Sequence, residues 1–138
     1  MGFALIADEV RVSIDCDADI VSARQKGRDL ASQCGLPTTD LAVVATAISE
    51  LARNILRYAA HGEIILRLVE DHGKRGVEVV ATDDGPGIPD LTLAMQDGYS
   101  TCGGLGLGLP GTRRLMHEFE IISEFGKGTT VTVRRWKR

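Results

Sequence analysis

Glu50 and Asn54 stand four positions apart in a stretch with helical periodicity, so they share one face, a turn apart. Their types suit two tasks. A carboxylate can accept a proton from a hydroxyl or polarise a water. A neutral amide oxygen can ligate a hard cation such as Mg²⁺, which takes oxygen ligands and keeps several waters. Arg57, nearly a turn further, could reach a phosphate. Taken alone, the blander arrangement is the better reading: a solvated Glu–Arg face with Asn54 as a bystander.

Three glycine clusters follow: Asp83-Asp84-Gly85-Pro86-Gly87, Gly103-Gly104-Leu105-Gly106-Leu107-Gly108, and Gly126-Lys127-Gly128-Thr129-Thr130. Glycine lets a main chain approach a ligand closely and adopt positive φ at little steric cost. Successive backbone N–H groups, or the start of a helix, then bind phosphate. Each cluster alone reads as a turn. Asp83 follows the apolar run 77–81, where a carboxylate could accept a hydrogen bond from an exocyclic amine such as that of adenine. Its commoner use is turn formation, and Asp84 is the weaker choice. Gly85 and Gly87 would let the chain pass close to a ring, and Ile88 could pack on a base. Gly104, Gly106 and Gly108 alternate with Leu105, Leu107 and Leu109 just before a helix. Leucines packing inward while glycine amides face an anion would explain that alternation better than a solvated linker. Neither the dinucleotide fingerprint nor a P-loop is present. The third cluster is first a hairpin turn, with Thr129 or Thr130 near the base.

These residues need a scaffold. At 138 residues the chain is read as one domain, 1–138, with a real core. Its 43% apolar and 25% charged content is ordinary for a globular protein. A net charge of −3 and few aromatics argue against nucleic acid as a partner. The basic end, residues 134–138, reads as a solvated strand end. No apolar run approaches a membrane span and no signal peptide is read, so no membrane partner is expected. Cys16, Cys34 and Cys102 share no metal spacing and form no disulfide framework, which fits a cytoplasmic protein. His61, His72 and His117 share no ligand spacing and are read as surface residues.

Alternation over residues 9–15 predicts a strand. A helix capped by Asp17 or Asp19 runs to about residue 33, with Gly35 as its stop and Pro37 beyond. A second helix starts at Thr39 or Asp40 and runs to about Ala59, burying Leu41, Val44, Ile48, Leu51 and Ile55. Glu50 and Asn54 then lie about 100° from Leu51 and Ile55, on the flank of the stripe. Runs 64–69 and 77–81 form a hairpin. The irregular stretch 85–101 holds one short helical candidate, 91–96. A helix over 109–117 and a hairpin of 120–125 with 129–135 complete the order β-α-α-β-β-loop-α-β-β. The fold class is α/β (α+β), a two-layer sandwich with helices on one face of a largely antiparallel, mixed sheet.

With these motifs in place the chain resembles the ATP-binding superfamily of gyrase B, histidine kinases, the MutL repair proteins and a heat-shock chaperone, whose fold is of the Bergerat type. Glu50-Leu51-Ala52-Arg53-Asn54 resembles its N box; Asp83, Gly85 and Gly87 the first glycine box; Gly104, Gly106 and Gly108 the second; Gly126, Gly128 and Thr129 the third. The resemblance implies Glu50 as catalytic base, Asn54 as Mg²⁺ ligand, Asp83 as adenine partner and second-box amides as phosphate holders, with ATP and Mg²⁺ as cofactors. Lacking a histidine-bearing dimerisation helix, the chain is similar to stand-alone serine/threonine switch kinases of bacterial sigma-factor regulation. Residues 104–119 look most like the stressosome type. That implies phosphorylation of STAS-domain antagonist proteins and, on release, activation of a PP2C-type phosphatase. An anti-sigma factor with kinase activity, a non-catalytic ATP-sensing module and a detached histidine-kinase domain are the rivals. One departure stands out: residues 98–108 contain no Lys or Arg, where many relatives place a cation for the γ-phosphate. Mg²⁺, Arg57, Arg113, Arg114 or the partner would have to supply that charge.

Overall fold

The protein is represented by a computed structural model that describes residues 4–5, 9–87, 95 and 108–138. Ile88, Gly104, Leu105, Gly106, Leu107, Cys102 and the helical candidate 91–96 therefore lie outside the described residues, Met95 apart. The elements are β1 (Ala4–Leu5), β2 (Val10–Ile14), α1 (Asp17–Cys34), α2 (Thr38–Ala59), β3 (Gly62–Asp71), β4 (Lys74–Asp83), α3 (Gly108–Leu115), β5 (Glu118–Glu124) and β6 (Gly128–Trp136). The sheet order is β1-β3-β4-β6-β5, with β2 also pairing β3. β1 meets Val69 and Glu70 while β2 meets 62–66, so the two share one edge of β3. Every described ladder is antiparallel.

The period-2 pattern explains the layers. Ile64, Leu66 and Leu68 of β3 lie opposite Ala81, Val79 and Val77 of β4 and join one core with the helices. From α2 that core takes Val44, Ile48, Leu51 and Ile55, each at most 2% exposed. Burial of each such side chain contributes roughly 1.5–3 kcal/mol. α1 lies close to α2: a Cβ on Gly27 would fall 2.0 Å from Ile48 Cδ1. The β3–β4 connection is a two-residue turn, His72 at φ 54° and Gly73 at φ 79°, the twist a tight hairpin requires.

Helix ends differ from expectation in detail. α1 stops as expected at Gly35 (φ 88°), with the Leu36 N–H donating to Ala31 O. Its N-cap is Cys16 rather than an aspartate; Asp19 instead accepts the N–H groups of Asp15 (2.8 Å) and Cys16 (3.2 Å). The Asp15 amide, first of all, holds the Asp19 carboxyl below its ordinary range. α2 begins at Thr38, after Pro37. α3 ends at Leu115, because residues from Glu118 onward join the sheet and lengthen β5 toward its start.

The basic end is not solvated as a whole, because β6 runs to Trp136 between two partners. On the face away from the helices, Arg67 bridges Glu9 and Glu78, and Arg134 bridges Glu78 and Glu118, all at 2.8–2.9 Å. Trp136 Nε1 donates to Glu118 (2.6 Å). This row crosses the sheet and covers Glu78, which is 6% exposed. Arg135 points to the opposite face. It donates to Asp40 at the start of α2 (2.6 and 3.0 Å) and to the Leu115 carbonyl at the end of α3. Only Lys137 and Arg138 are exposed. His61 and His72 are surface residues as expected, but His117 is half-buried, and its Nδ1 accepts the Trp136 N–H (2.9 Å).

Two measurements test this framework. Arg135→Ala is expected to cost about 2 kcal/mol in urea unfolding, the usual loss for charge-assisted hydrogen bonds. Arg135→Lys should recover only part, since one ammonium cannot copy a fork that spans two helix ends. Burial, then the charges of Arg135 and Arg138, push the His117 pKa below its ordinary 6.5. The unfolded chain therefore protonates first, so this contribution is complete above pH 6.5 and declines as pH falls. In His117→Asn, which keeps a neutral acceptor, the decline that starts near pH 6.5 should vanish. The lower one set by Glu9, Asp19 and Glu118, whose carboxyls are all held below their ordinary values, should remain.

Candidate functional site

The C-terminal half of α2 carries the N-box residues, and its packing decides which of them face outward. Glu50 is one residue before the core position Leu51 and is itself only 9% exposed. A carboxylate that buried needs partners at both oxygens. It has them: Oε1 accepts the Gly108 N–H (2.9 Å), and Oε2 accepts Arg53 Nη1 (2.6 Å). Gly108, at φ 66°, is the first residue of α3. The Thr112 hydroxyl, fully buried, donates back to the Gly108 carbonyl (2.9 Å). The second glycine box is thus joined to the N box by one hydrogen bond. Asn54, a turn beyond Glu50, is half-buried.

The other end of the site forms where β4 runs out. Asp83 Oδ1 accepts the Gly85 N–H (3.0 Å), closing a tight turn. The space over the next glycines is taken by protein. A Cβ on Gly85 would lie 2.5 Å from Ala59 Cβ in the last turn of α2, and one on Gly87 (φ 82°) 2.5 Å from the Glu124 carbonyl. Gly126 donates its N–H to Pro86 O (2.8 Å). A Cβ on Gly128 (φ 110°) would sit 2.1 Å from Asp83 O. The first and third boxes are therefore stitched together, with Thr129 opposite Asp83 in register. Thr129 is 5% exposed and shares a hydrogen bond with Ser123 Oγ (2.8 Å).

α2 connects the two ends. From Glu50 to Ala59 it rises about 13 Å, the scale of an extended nucleoside triphosphate. Asp83 and the first box stand at one end of that span; Glu50 and the start of α3 stand at the other. Among the described residues no group of three or more His, Cys, Asp or Glu could hold a metal. A cation at Asn54 would thus take most of its ligands from a bound phosphate and water, which is the habit of Mg²⁺.

The partner of Glu50 is Arg53, not Arg57. Spacing explains it: three positions bring side chains together, whereas Arg57 is exposed nearly two turns away. The i,i+3 pairing was open to view in the sequence. The role of Ser123 was not, because it depends on the β5–β6 pairing; the Thr112 bond is a local one, four residues back within α3.

The chain matches the family described as "Histidine kinase-, DNA gyrase B-, and HSP90-like ATPase" over residues 39–138. It is 51% identical over 131 residues to serine/threonine-protein kinase RsbT of Bacillus subtilis (strain 168), covering 95% of this chain and 98% of that protein. It is 31% identical over 107 residues to the anti-sigma F factor of Geobacillus stearothermophilus, 72% of each chain. The fold is similar to a crystal structure of the RsbU and RsbW domains of a Mycobacterium tuberculosis protein, with a TM-score of 0.60 and 20% identity. That likeness covers 94% of this chain and 32% of the solved one. From the matched span and the RsbT identity, the chain belongs to the histidine kinase-, DNA gyrase B- and HSP90-like ATPase family.

Proposed function

We propose that this chain is an ATP- and Mg²⁺-dependent protein serine/threonine kinase of a partner-switching pathway that regulates a sigma factor. It is a cytoplasmic regulator whose substrates are STAS-domain antagonist or scaffold proteins, and on release it activates a PP2C-type phosphatase. The kinase assignment is supported by 51% identity to RsbT along 95% of the chain. The observation that carries the mechanism is the placement of Glu50, nine-tenths buried, against the first amide of α3 and one turn from Asn54.

Phosphoryl transfer needs positioning and charge neutralisation more than covalent help. Asp83, at the closed end of the span, would receive the adenine amine. Asn54 would contribute its amide oxygen to Mg²⁺, whose chemistry is to neutralise phosphate charge. The Gly108 amide and those of the preceding glycines would hold phosphate oxygens. Glu50 orients the incoming hydroxyl and accepts its proton. The hydroxyl oxygen bonds to the γ-phosphorus, the bond from that phosphorus to the β,γ-bridging oxygen breaks, and ADP leaves.

A second reading has support of its own. Anti-sigma F factors match over 72–77% of the chain at 30–31% identity. A chain that sequesters a sigma subunit would retain it in a pull-down; the leading reading expects no such complex. With radiolabelled ATP and a STAS-domain partner, label should appear in acid-stable form, as on serine or threonine and unlike phosphohistidine. Glu50→Gln should lower the transfer rate roughly 10²–10⁴-fold, the range for loss of a general base. Asn54→Ala and Asp83→Asn should each abolish it. Transfer that survives both of the latter changes removes the assignment.

A further inference from the structure

Resting on that reading, we infer that Arg53 is the γ-phosphate cation of this kinase and that Glu50 holds it, together with the Gly108 amide, in reserve until a triphosphate binds. The starting point is a deficit. Residues 98–108 carry no Lys or Arg, yet the transferred group develops charge that protein kinases and ATPases meet with fixed cations.

Two donors converge on Glu50. The Gly108 N–H reaches Oε1 at 2.9 Å and Arg53 Nη1 reaches Oε2 at 2.6 Å. A backbone amide at a helix start and a guanidinium are the two donor types that bind phosphate oxygens best. Here they are arranged around a carboxylate, itself an anion with two acceptor atoms. Glu50 thus stands in for the anion that these donors are built to hold. The Glu50 side chain is 9% exposed while the Arg53 side chain is 56% exposed. The cation can therefore swing outward to a ligand, and the carboxylate cannot follow it.

The alternative cations are less well placed. Arg113 and Arg114 sit in the last turn of α3, about 8 Å along the helix from Gly108. Arg57 lies nearly two turns of α2 beyond Glu50 and has its own interactions. Arg53 alone, among the described arginines, is bonded to the candidate base.

A γ-phosphate carries more charge and more acceptor oxygens than a carboxylate, so it competes for both donors. Once they turn to the phosphate, Oε1 and Oε2 are left to receive the hydroxyl proton of the protein substrate. ADP lacks the γ-group and should not draw Arg53 away. Discrimination between ATP and ADP then resides in an ion pair made before any nucleotide arrives.

The test is calorimetric titration of the purified chain with Mg²⁺-ATP and Mg²⁺-ADP. Arg53→Ala should weaken ATP about tenfold, the equivalent of one charge-assisted contact, and change ADP less than about twofold. Arg53→Lys should restore part of the ATP affinity. Glu50→Gln keeps an oxygen for Gly108 but drops the charge that competes with phosphate. It should bind ATP several-fold more tightly than the parent while its transfer rate falls. Equal losses for ATP and ADP in Arg53→Ala, or weaker ATP binding in Glu50→Gln, would overturn the inference and leave the kinase reading intact. An unmodified chain that binds neither nucleotide removes both.

Discussion

A carboxylate buried to nine-tenths of its surface must have its oxygens satisfied, and in this protein that demand joins the parts of the site. Glu50 sits on α2, one residue from a core leucine, so its depth follows from the helix packing that builds the core. Its partners are then determined. One comes from three residues along the same helix, and the other is the first amide of α3. Without the second bond, α3 would begin with an unpaired donor beside a buried charge, a costly arrangement. The N box and second glycine box are therefore not independent motifs. They are two sides of one electrostatic requirement.

The opposite end of the site is governed by steric fit instead. Gly85, Gly87 and Gly128 stand where backbone and side-chain atoms of neighbouring elements come within a Cβ's reach. Their smallness lets β4, the end of α2 and the β5–β6 turn meet around Asp83. Freedom of φ matters at Gly87 and Gly128; at Gly85 the cause is contact with Ala59. The site thus has one end held by hydrogen-bonded charge and one by close packing. α2 spans both, since the helix that presents Glu50 also ends against Gly85.

Much of this was legible before any coordinates. The 3–4 spacing of Val44, Ile48, Leu51 and Ile55 located the buried face of α2, and alternation in β3 and β4 located the sheet. The first and third glycine clusters marked turns. What stayed hidden depended on register or on distance along the chain. Arg134 and Arg135 look alike in a basic tail. Pleating sends one to a row of acids across the sheet and the other to Asp40, 95 positions away. His117 was read as a surface residue because nothing local reveals that Trp136 would donate to it. Arg53 was missed for a different reason. Its spacing from Glu50 is plain, but Arg57 is the residue read as able to reach a phosphate, and Glu50, placed on the flank of the buried stripe, is in fact buried.

The pairing of Glu50 also bears on a problem every such kinase faces, which is that water competes with a protein hydroxyl for the same phosphorus. A base that stood open in the empty cleft would serve water as readily as substrate. Glu50 is instead shielded from solvent and engaged at both oxygens. On the proposed roles, reactivity would depend on nucleotide binding first and on delivery of a hydroxyl second, because both Arg53 and the Gly108 amide would have to turn to the phosphate before the carboxylate could act. On those same roles, a chain with no Lys or Arg in residues 98–108 would draw the charge for phosphate from Arg53, on the same helix as Glu50.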